Sequence, residues 1–201
     1  MQEFIRERGI TELYHFTNVD NLHSILNNGL LSRYTLNNMG LGYEQNDDYR
    51  LENRLDAICT SISFPNYKMF YRYRQNTSNT YCVIELDPRL LYEKECIFCI
   101  SNAASREERQ RRINEKLGVD GLRRLFYDDN LRRELRLEPY FTTNPQAEVL
   151  VTNDIEVEYI RSINFNTPRT SFDFKRYKGN NIKFYHNPAL FTYRLDYEYW
   201  R

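Results

Sequence analysis

Apolar and polar positions recur with two different periods along the chain, and the two periods predict two kinds of element. Runs rich in β-branched and aromatic residues predict strands at residues 13–17, 57–63, 80–86 and 147–151, with a further strand near residue 97. One or two more strands are expected within 155–165, and another near 182–185. Leu22, Ile25 and Leu26 recur at helical spacing, so residues 19–28 are predicted to form a helix that Gly29 ends.

The remaining segments complete a mixed architecture. A helix is predicted from Pro65 to about residue 74, and charged helices are predicted over 105–137, with breaks at Gly118 and near Asp129. Residues 32–52 are rich in Asn and Tyr, lack periodicity and predict a long loop. Strands and helices are mixed without a regular βαβ alternation, so the predicted fold class is α+β.

Composition and charge narrow the function classes. The 201 residues show no repeat and no linker, which predicts one domain over residues 1–201. Lys plus Arg and Asp plus Glu both number 28, so a broad positive field for coating nucleic acid is excluded, whereas a local groove is not. No apolar run is long enough to span a membrane, and the charged N-terminus lacks a signal-peptide core. We therefore expect a cytoplasmic protein with reduced cysteines.

Two polar residues stand at the start of an apolar strand. Period-two geometry predicts that Gln146 and Glu148 share one face, where they would meet a ligand at the strand mouth. The alternative is an ordinary strand edge with both side chains solvated. His15, in the strand before the first predicted helix, is placed to bind a ribose or an amide, or else is a satisfied core histidine.

Basic residues offer further candidate contacts. Arg54 suits a phosphate or a base carbonyl, but a surface salt bridge with Asp56 or Glu52 explains it equally well. The helix predicted from Pro65 interleaves aromatic and basic residues, as single-strand binding requires, although an amphipathic helix with an aromatic core stripe has the same pattern. Its basic members are Lys68, Arg72 and Arg74.

Cofactor motifs give negative expectations. Cys96 and Cys99 form a CxxC, but a structural zinc site needs two more ligands at suitable spacing, so we expect buried thiols and no metal. The sequence contains neither a GxxxxGK phosphate loop nor a dinucleotide-binding GxGxxG, which leaves kinase and Rossmann functions without support.

An ordered series of short motifs resembles the DarT family of toxin ADP-ribosyltransferases that modify DNA. Each motif is weak alone, and their order and spacing carry the resemblance over roughly residues 12–152. The motifs are YHFT at 14–17, DNL at 20–22, SIL at 24–26 with Gly29-Leu30, Arg54, MFY at 69–71, SNAA at 101–104 and QAE at 146–148.

The resemblance implies an ADP-ribosyltransferase fold, a split mixed β core with flanking helices, whose cleft holds NAD⁺. It also implies transfer of ADP-ribose to a base of single-stranded DNA, by a toxin whose cognate antitoxin removes the mark. Residues 32–50 would cover the cofactor, and part of 105–145 would handle the substrate. The implied NAD⁺ contacts are His15, Phe16, Thr17, Asn21, Leu30, Arg50 and Tyr71, the last stacking on nicotinamide.

The same resemblance assigns roles at the reacting centre. Glu148 would hold the ribose 2′-hydroxyl and stabilise an oxocarbenium-like centre, and Arg54 would orient the acceptor base. A polarising role suits Arg54 better than that of general base, because its pKa is high. The acceptor strand would meet Gln146, Lys68, Arg72 and Arg74.

One departure leaves the acceptor open. Residues 61–68 differ from the shorter pattern of thymidine-modifying members and are closer to the guanine branch, so guanine and thymine both stay candidates. Two further alternatives stand beside DNA modification. The same enzyme class would act on RNA or protein, or a non-enzymatic domain would bind nucleic acid through the aromatic and basic helix.

Overall fold

The computed structural model describes residues 1–44, 54–75, 80–168 and 181–200, in which strands and short helices are mixed, as predicted. The strands are β1 (Leu13–Asn18), β2 (Ala57–Ile62), β3 (Tyr81–Leu86), β4 (Cys96–Cys99), β5 (Glu148–Thr152), β6 (Ile160–Phe165) and β7 (Lys183–His186). The helices are α1 (Gln2–Arg8), α2 (Leu22–Asn28), α3 (Arg33–Met39), α4 (Tyr67–Gln75), α5 (Leu90–Glu93), α6 (Arg106–Gln110), α7 (Gly118–Arg124) and α8 (Asp129–Glu134). Single 3-10 turns lie at Val19–Asn21, Ile113–Lys116, Val157–Tyr159 and Pro188–Phe191.

The strands form one mixed sheet that is nearly split in the middle. Across the described residues its order is β4-β5-β2-β1-β3-β6-β7, with only β6 and β7 parallel. β1 pairs with β3 along all six of its residues, whereas its ladder with β2 is limited to Leu13 opposite Ile62 and Tyr14 opposite Ser61. Beyond that pair β2 follows β5 instead. The sheet therefore opens into two halves, which confirms the predicted split β core of an ADP-ribosyltransferase fold.

A single large apolar cluster holds the two halves together. Strand residues such as Leu13, Ile84 and Phe98 are buried in it, and so are the helical positions Leu22, Ile25 and Leu26. This burial explains the period that predicted α2, because an amphipathic helix is stabilised mainly by packing its apolar face.

The turn after α2 requires glycine. Gly29 has φ of 81°, and a Cβ at that position would lie 2.2 Å from the Ile155 carbonyl oxygen. The close approach lets Leu30 exchange two backbone hydrogen bonds of 2.8 Å with Ile155. Leu30 is thereby anchored to the segment that follows β5.

The prediction of an irregular loop over residues 32–52 is partly wrong, because this segment contains α3. Ser32 caps the helix by accepting a hydrogen bond from the Thr35 amide, and Gly40 ends it in the left-handed conformation. Asp154 supports this start by accepting from the Ser32 amide at 2.7 Å and from Thr35 Oγ1 at 3.0 Å. No residue of α3 is buried, so the helix lacks the apolar stripe that periodicity detects. Residues 45–53, including Arg50, lie outside the described residues.

The end of the chain packs on α4. Phe191 packs against the buried ring of Phe70, with 5.4 Å between ring centroids. The Arg74 guanidinium lies over Phe70 and donates to the Phe191 carbonyl at 2.6 Å, and Lys68 donates to the Trp200 carbonyl. Residues 188–200 therefore form a brace that packs on α4, and we call this segment the C-terminal brace.

Among the described helices, none combines the length and apolarity needed to cross a bilayer.

Candidate active site

A cleft opens where β1 and β2 part. Its volume is about 200 Å³, and it is open to solvent at its mouth. One wall comes from β1, α2 and α3, and the other from β2, α4 and the start of β5. The lining includes Tyr14, His15, Phe16, Thr17, Asn21, Leu30, Arg33, Tyr43, Cys59, Thr60, Met69, Tyr73, Asn102 and Glu148.

His15 spans the gap between the separated strands. Its Nδ1 lies 2.8 Å from the Cys59 carbonyl oxygen of β2. A carbonyl can only accept, so Nδ1 is the donor, and in the neutral ring Nε2 is then an acceptor. The residue is half-buried and lines the cleft, so it is placed for ligand contact as well as for joining the two halves.

Asn21 organises the next part of the same wall. Its side-chain amide donates to Thr17 Oγ1 and to the Glu44 carbonyl, each at 3.0 Å, and its Oδ1 accepts from the Glu44 amide at 2.9 Å. Thr17, Asn21 and Glu44 all line the cleft. One side chain therefore ties the end of β1 to the segment that follows α3.

Glu148 is a buried carboxylate that lines the cleft. Only 3% of it is exposed. Oε1 accepts from the Asn66 side-chain amide at 3.2 Å, and Oε2 accepts from the Ala103 backbone amide at 2.8 Å. Because a different donor holds each oxygen, the orientation of the carboxylate is fixed. The alternative of a solvated strand-edge Glu148 is wrong.

Local hydrogen bonds hold Asn66 in place and shape the turn that contains Ala103. The Asn66 amide donates to Ser61 Oγ at 3.2 Å, and the Asn66 side-chain oxygen accepts from the Met69 amide at 3.3 Å at the start of α4. On the other side, Asn102 Oδ1 accepts from the Ala104 amide at 2.9 Å. Sequence reasoning assigned no individual role to Asn66, which lies in the first turn of the predicted helix, or to Ala103, which belongs to the SNAA motif.

The structure does not place Gln146 as period-two geometry predicted. A backbone hydrogen bond of 3.0 Å from the Ala147 amide to the Asn144 carbonyl closes a turn that contains Gln146, and β5 begins only at Glu148. The alternation of a strand does not extend into a turn, so the shared face with Glu148 is wrong. Gln146 is not among the described residues that line the cleft.

The face that α4 turns to the cleft also differs from the prediction. Met69 and Tyr73 line it, as an i, i+4 pair on one helix face must. Tyr71 lies on the opposite side and is 56% exposed, so the arrangement does not support stacking on nicotinamide.

The basic candidates are engaged away from the cleft. Arg54 forms a two-point ion pair with Asp56, at 2.9 and 2.8 Å, which confirms the salt bridge considered as its alternative. Lys68 and Arg74 bind carbonyls of the C-terminal brace, and Arg72 is exposed. An acceptor strand on α4 would therefore have to compete with contacts that the fold already uses.

The CxxC thiols lie in different parts of the core. Cys96 and Cys99 are three apart on β4 and so point to opposite faces, into separate apolar clusters. Burial raises the pKa of each to about 12. Within the described ranges, no group of three or more His, Cys, Asp or Glu side chains is arranged to hold a metal ion.

Comparison with solved structures gives the fold's relatives. A Thermosipho africanus DarTG structure in complex with ADP-ribose superposes with a TM-score of 0.64 and 18% identity over 90% of this chain, which spans about half (51%) of that protein. A Thermus sp. 2.9 DarT in complex with NAD⁺ gives 0.56 and 16%, covering 90% of this chain and 98% of the other. The same Thermus protein in complex with ADP-ribosylated ssDNA gives 0.57 and 16%, covering 92% and 97%.

Sequence comparison supplies the family. No match was found among curated protein sequences. A family model described as "ssDNA thymidine ADP-ribosyltransferase, DarT" matches residues 14–191, which include β1, the cleft and Glu148. Because that range covers most of the sequence, the chain belongs to the DarT family of single-stranded DNA ADP-ribosyltransferases.

Proposed function

We propose that this chain transfers ADP-ribose from NAD⁺ to a base of single-stranded DNA, with Glu148 at the reacting centre. The observation that carries the proposal is the buried Glu148 carboxylate, which lines the cleft with each oxygen held by its own donor. The family description and the NAD⁺ and ADP-ribosylated ssDNA complexes of the Thermus relative support the same reaction.

The cleft has the chemistry to hold NAD⁺ as a substrate. Its lining combines aromatic and aliphatic surface from Phe16, Tyr73 and Leu30 with the polar groups of His15 and Asn21. Arg33 also lines it and supplies a cation of the kind that suits a pyrophosphate. Phe16 stacks on Phe70 at 4.5 Å, so its ring is held firmly for a planar ligand. Arg50, the remaining predicted NAD⁺ contact, lies outside the described residues.

The reaction balances without any further reagent. The bond between the ribose C1′ and nicotinamide breaks, and nicotinamide leaves with the bonding pair. C1′ forms a bond to a base nitrogen, and the proton of that nitrogen passes to solvent. Positive charge develops on the sugar as the bond breaks. A fixed carboxylate beside it lowers the barrier, and Glu148 holding the 2′-hydroxyl would provide that field.

The acceptor side is less complete in the described structure. Arg54 keeps its predicted role of orienting the acceptor only if its ion pair with Asp56 opens. Gln146 keeps the same role only if the 144–147 turn faces the bound DNA strand. Lys68 and Arg74 remain predicted contacts of the DNA strand only if they release the carbonyls of the C-terminal brace. Arg72, which is exposed, remains a predicted contact as well. These five assignments are therefore the first to be tested by substitution.

The acceptor base has two candidates. Thymidine is named by the family description. Guanine is favoured by residues 61–68, and this segment reaches the site, since Ser61 lines the cleft and Asn66 holds Glu148. An insertion-like difference at that point would change the space beside the carboxylate, where the base must lie.

A biological role follows from the resemblance. We propose a cytoplasmic toxin whose mark a cognate antitoxin removes. Expression in a host without the antitoxin should arrest growth, and Glu148→Gln, which keeps the side-chain size, should relieve the arrest. Arrest that persists with Glu148→Gln would contradict this role.

One assay separates the candidate functions. Purified protein is incubated with labelled NAD⁺ and four oligonucleotides: single-stranded DNA with thymine as the only acceptor candidate, the same with guanine, a duplex and a single-stranded RNA. Label on single-stranded DNA that is lost in Glu148→Gln supports the proposal, and mass spectrometry identifies the base. Label on RNA or protein alone, or strand binding without nicotinamide release, would contradict it in favour of the corresponding alternative.

A further inference from the structure

The loop at residues 138–144 leads directly into the turn before Glu148, and two buried arginines surround it. Arg132 comes from α8 and Arg194 from the C-terminal brace. Each is less than a tenth exposed. Their guanidinium groups donate mainly to backbone carbonyls of this loop, which is an unusual use of two buried cations.

Arg132 holds the first part of the loop. Nη1 donates to the Phe141 carbonyl at 2.7 Å and to Thr143 Oγ1 at 3.2 Å, and Nη2 donates to the Glu138 carbonyl at 3.0 Å. In the part of the chain that the structure describes, no carboxylate lies within ion-pair distance of Arg132. Burial lowers its pKa to about 10. Carbonyl dipoles therefore replace both water and a counter-ion around this group.

Arg194 holds the second part. Nη1 donates to the Thr142 carbonyl at 2.7 Å and Nη2 to the Thr143 carbonyl at 3.0 Å. The same guanidinium is bound at two points by Asp196, at 2.6 and 2.5 Å, and its carbon lies 5.3 Å from the centre of the Phe141 ring. The fork geometry of arginine fixes adjacent carbonyls in a way that a lysine cannot reproduce.

The loop touches the machinery around Glu148. The Phe141 ring meets Phe64 edge-on, with 6.3 Å between centroids. Phe64 stands two residues before Asn66, the donor to Glu148 Oε1. At its end, Asn144 Oδ1 accepts from the Gln146 amide at 2.8 Å and so shapes the turn before β5. A shift of this loop would therefore displace the residues on one side of the Glu148 carboxylate, while the β1 wall of the cleft stays in place.

We propose that Arg132 and Arg194 are positioning residues for the acceptor: they hold the 138–144 loop in the one shape that admits a base beside Glu148. This inference rests on the proposed function. Burying a charged group is costly, and apolar side chains would hold a purely structural loop at lower cost. Two guanidiniums instead hold five backbone or side-chain oxygens of residues 138–143, which restrains the loop at both of its ends.

The test compares conservative substitutions. Arg194→Lys and Arg132→Lys keep the charge and lose the fork. Arg161→Lys is the matched control, because Arg161 also binds a carboxylate, Asp87, and a carbonyl, that of Thr11 at 2.8 Å, but far from the loop. We expect KM for the single-stranded oligonucleotide to rise about tenfold or more in the two loop variants, while KM for NAD⁺ changes less than about twofold.

The outcomes separate this inference from the proposed function. Equal rises in both KM values, or a loss of kcat with no change in KM for the oligonucleotide, would overturn it, because general loosening of the fold does not select the acceptor. If thermal unfolding shows that Arg194→Lys does not fold, Asp196→Asn tests the same point, because it removes the carboxylate charge that orients Arg194. A wild-type protein that labels no single-stranded DNA would overturn the proposed function, and this inference with it. Wild-type labelling with unchanged oligonucleotide KM in the variants would overturn this inference alone.

Discussion

The two walls of the cleft are assembled in different ways. On the β1 wall, residues 14–30 form a continuous strand, turn and helix, so residues near in sequence are also near in the site. On the Glu148 wall, the carboxylate comes from β5 and its donors from the segments that follow β2 and β4, with sequence separations of 82 and 45 residues. A local motif therefore specifies the first wall, whereas the second depends on the whole fold being correct. Substitutions on the two walls should accordingly fail in different ways.

The largest effect is expected at Glu148. Replacing it with Gln keeps the size and removes the charge that stabilises the developing sugar cation, so kcat should fall by about 10²–10³. Single-turnover release of nicotinamide from labelled NAD⁺ measures this. Glu107→Gln, on an exposed position of α6, is the matched control and should keep wild-type kcat. A Glu148→Gln enzyme with more than a tenth of wild-type kcat would contradict the assignment.

Asn66 should give the next largest effect, on the same wall. A hydrogen bond to a charged group contributes about 1.5–3 kcal/mol, so Asn66→Ala should lower kcat by roughly 10–100-fold. Asn66→Asp should fall at least as far, because it places a second carboxylate 3.2 Å from Glu148 Oε1. Steady-state kinetics measures both. Full activity in Asn66→Asp would show that orientation of Glu148 does not depend on this contact.

On the β1 wall we expect binding to suffer more than turnover. Asn21→Ala removes three hydrogen bonds that join Thr17 and Glu44 around the cleft, and KM for NAD⁺ should rise about tenfold with little change in kcat. Asn27→Ala, on the exposed side of α2, is the control. A fall in kcat with unchanged KM would place Asn21 with the Glu148 wall and break the comparison.

Cysteine labelling gives a smaller and independent measure of the cleft. Cys59 lines the cleft, while the other three cysteines are buried, with their pKa values raised by desolvation. A thiol reagent should label Cys59 first, and saturating NAD⁺ should slow that labelling several-fold, since a bound ligand covers the site. Mass spectrometry of the modified peptides reads out the position. Faster labelling of Cys96 or Cys99 would contradict the described packing.

The smallest effect is expected at Arg54. Its ion pair with Asp56 is partly exposed, 33% and 41% for the two side chains, so Arg54→Ala should lower the free energy of unfolding by only about 0.2–1 kcal/mol. Because Asp56, and not the cleft, engages Arg54, kcat should change less than about threefold in Arg54→Ala. Chemical denaturation and steady-state kinetics measure the two quantities. A hundredfold loss of kcat would instead restore Arg54 to the acceptor-orienting role that the resemblance implies.

The sequence predicted what is local. The strands, the α2 stripe and the glycine stop at Gly29 were predicted, because each depends on residues within one turn or strand. His15, Thr17, Asn21 and Leu30, predicted as NAD⁺ contacts, line the cleft. Glu148 was found by its motif. The rest required tertiary structure: α3 buries nothing and so leaves no periodic signal, and the exposure of Tyr71 on α4 depends on how that helix packs.

Long-range pairing accounts for the other differences. No pattern along the chain indicates that Lys68 and Arg74 are engaged by residues 200 and 191, or that Asn66 and Ala103 meet the same carboxylate. Charge density on a helix predicts exposure in general, but it does not say which carbonyls the fold will bring to it.

The short ladder between β1 and β2 has a consequence for recognition. Beyond Tyr14, β1 and β2 no longer pair, so peptide groups of the two strands face each other across a gap. This gap lies in the middle of the sheet and not at its edge. A ligand in that gap occupies the position of a neighbouring strand. Main-chain groups can then form hydrogen bonds with it, whatever side chains surround them. Interior main-chain atoms vary little when side chains are exchanged, so the same gap suits relatives that share under a fifth of their residues with this chain.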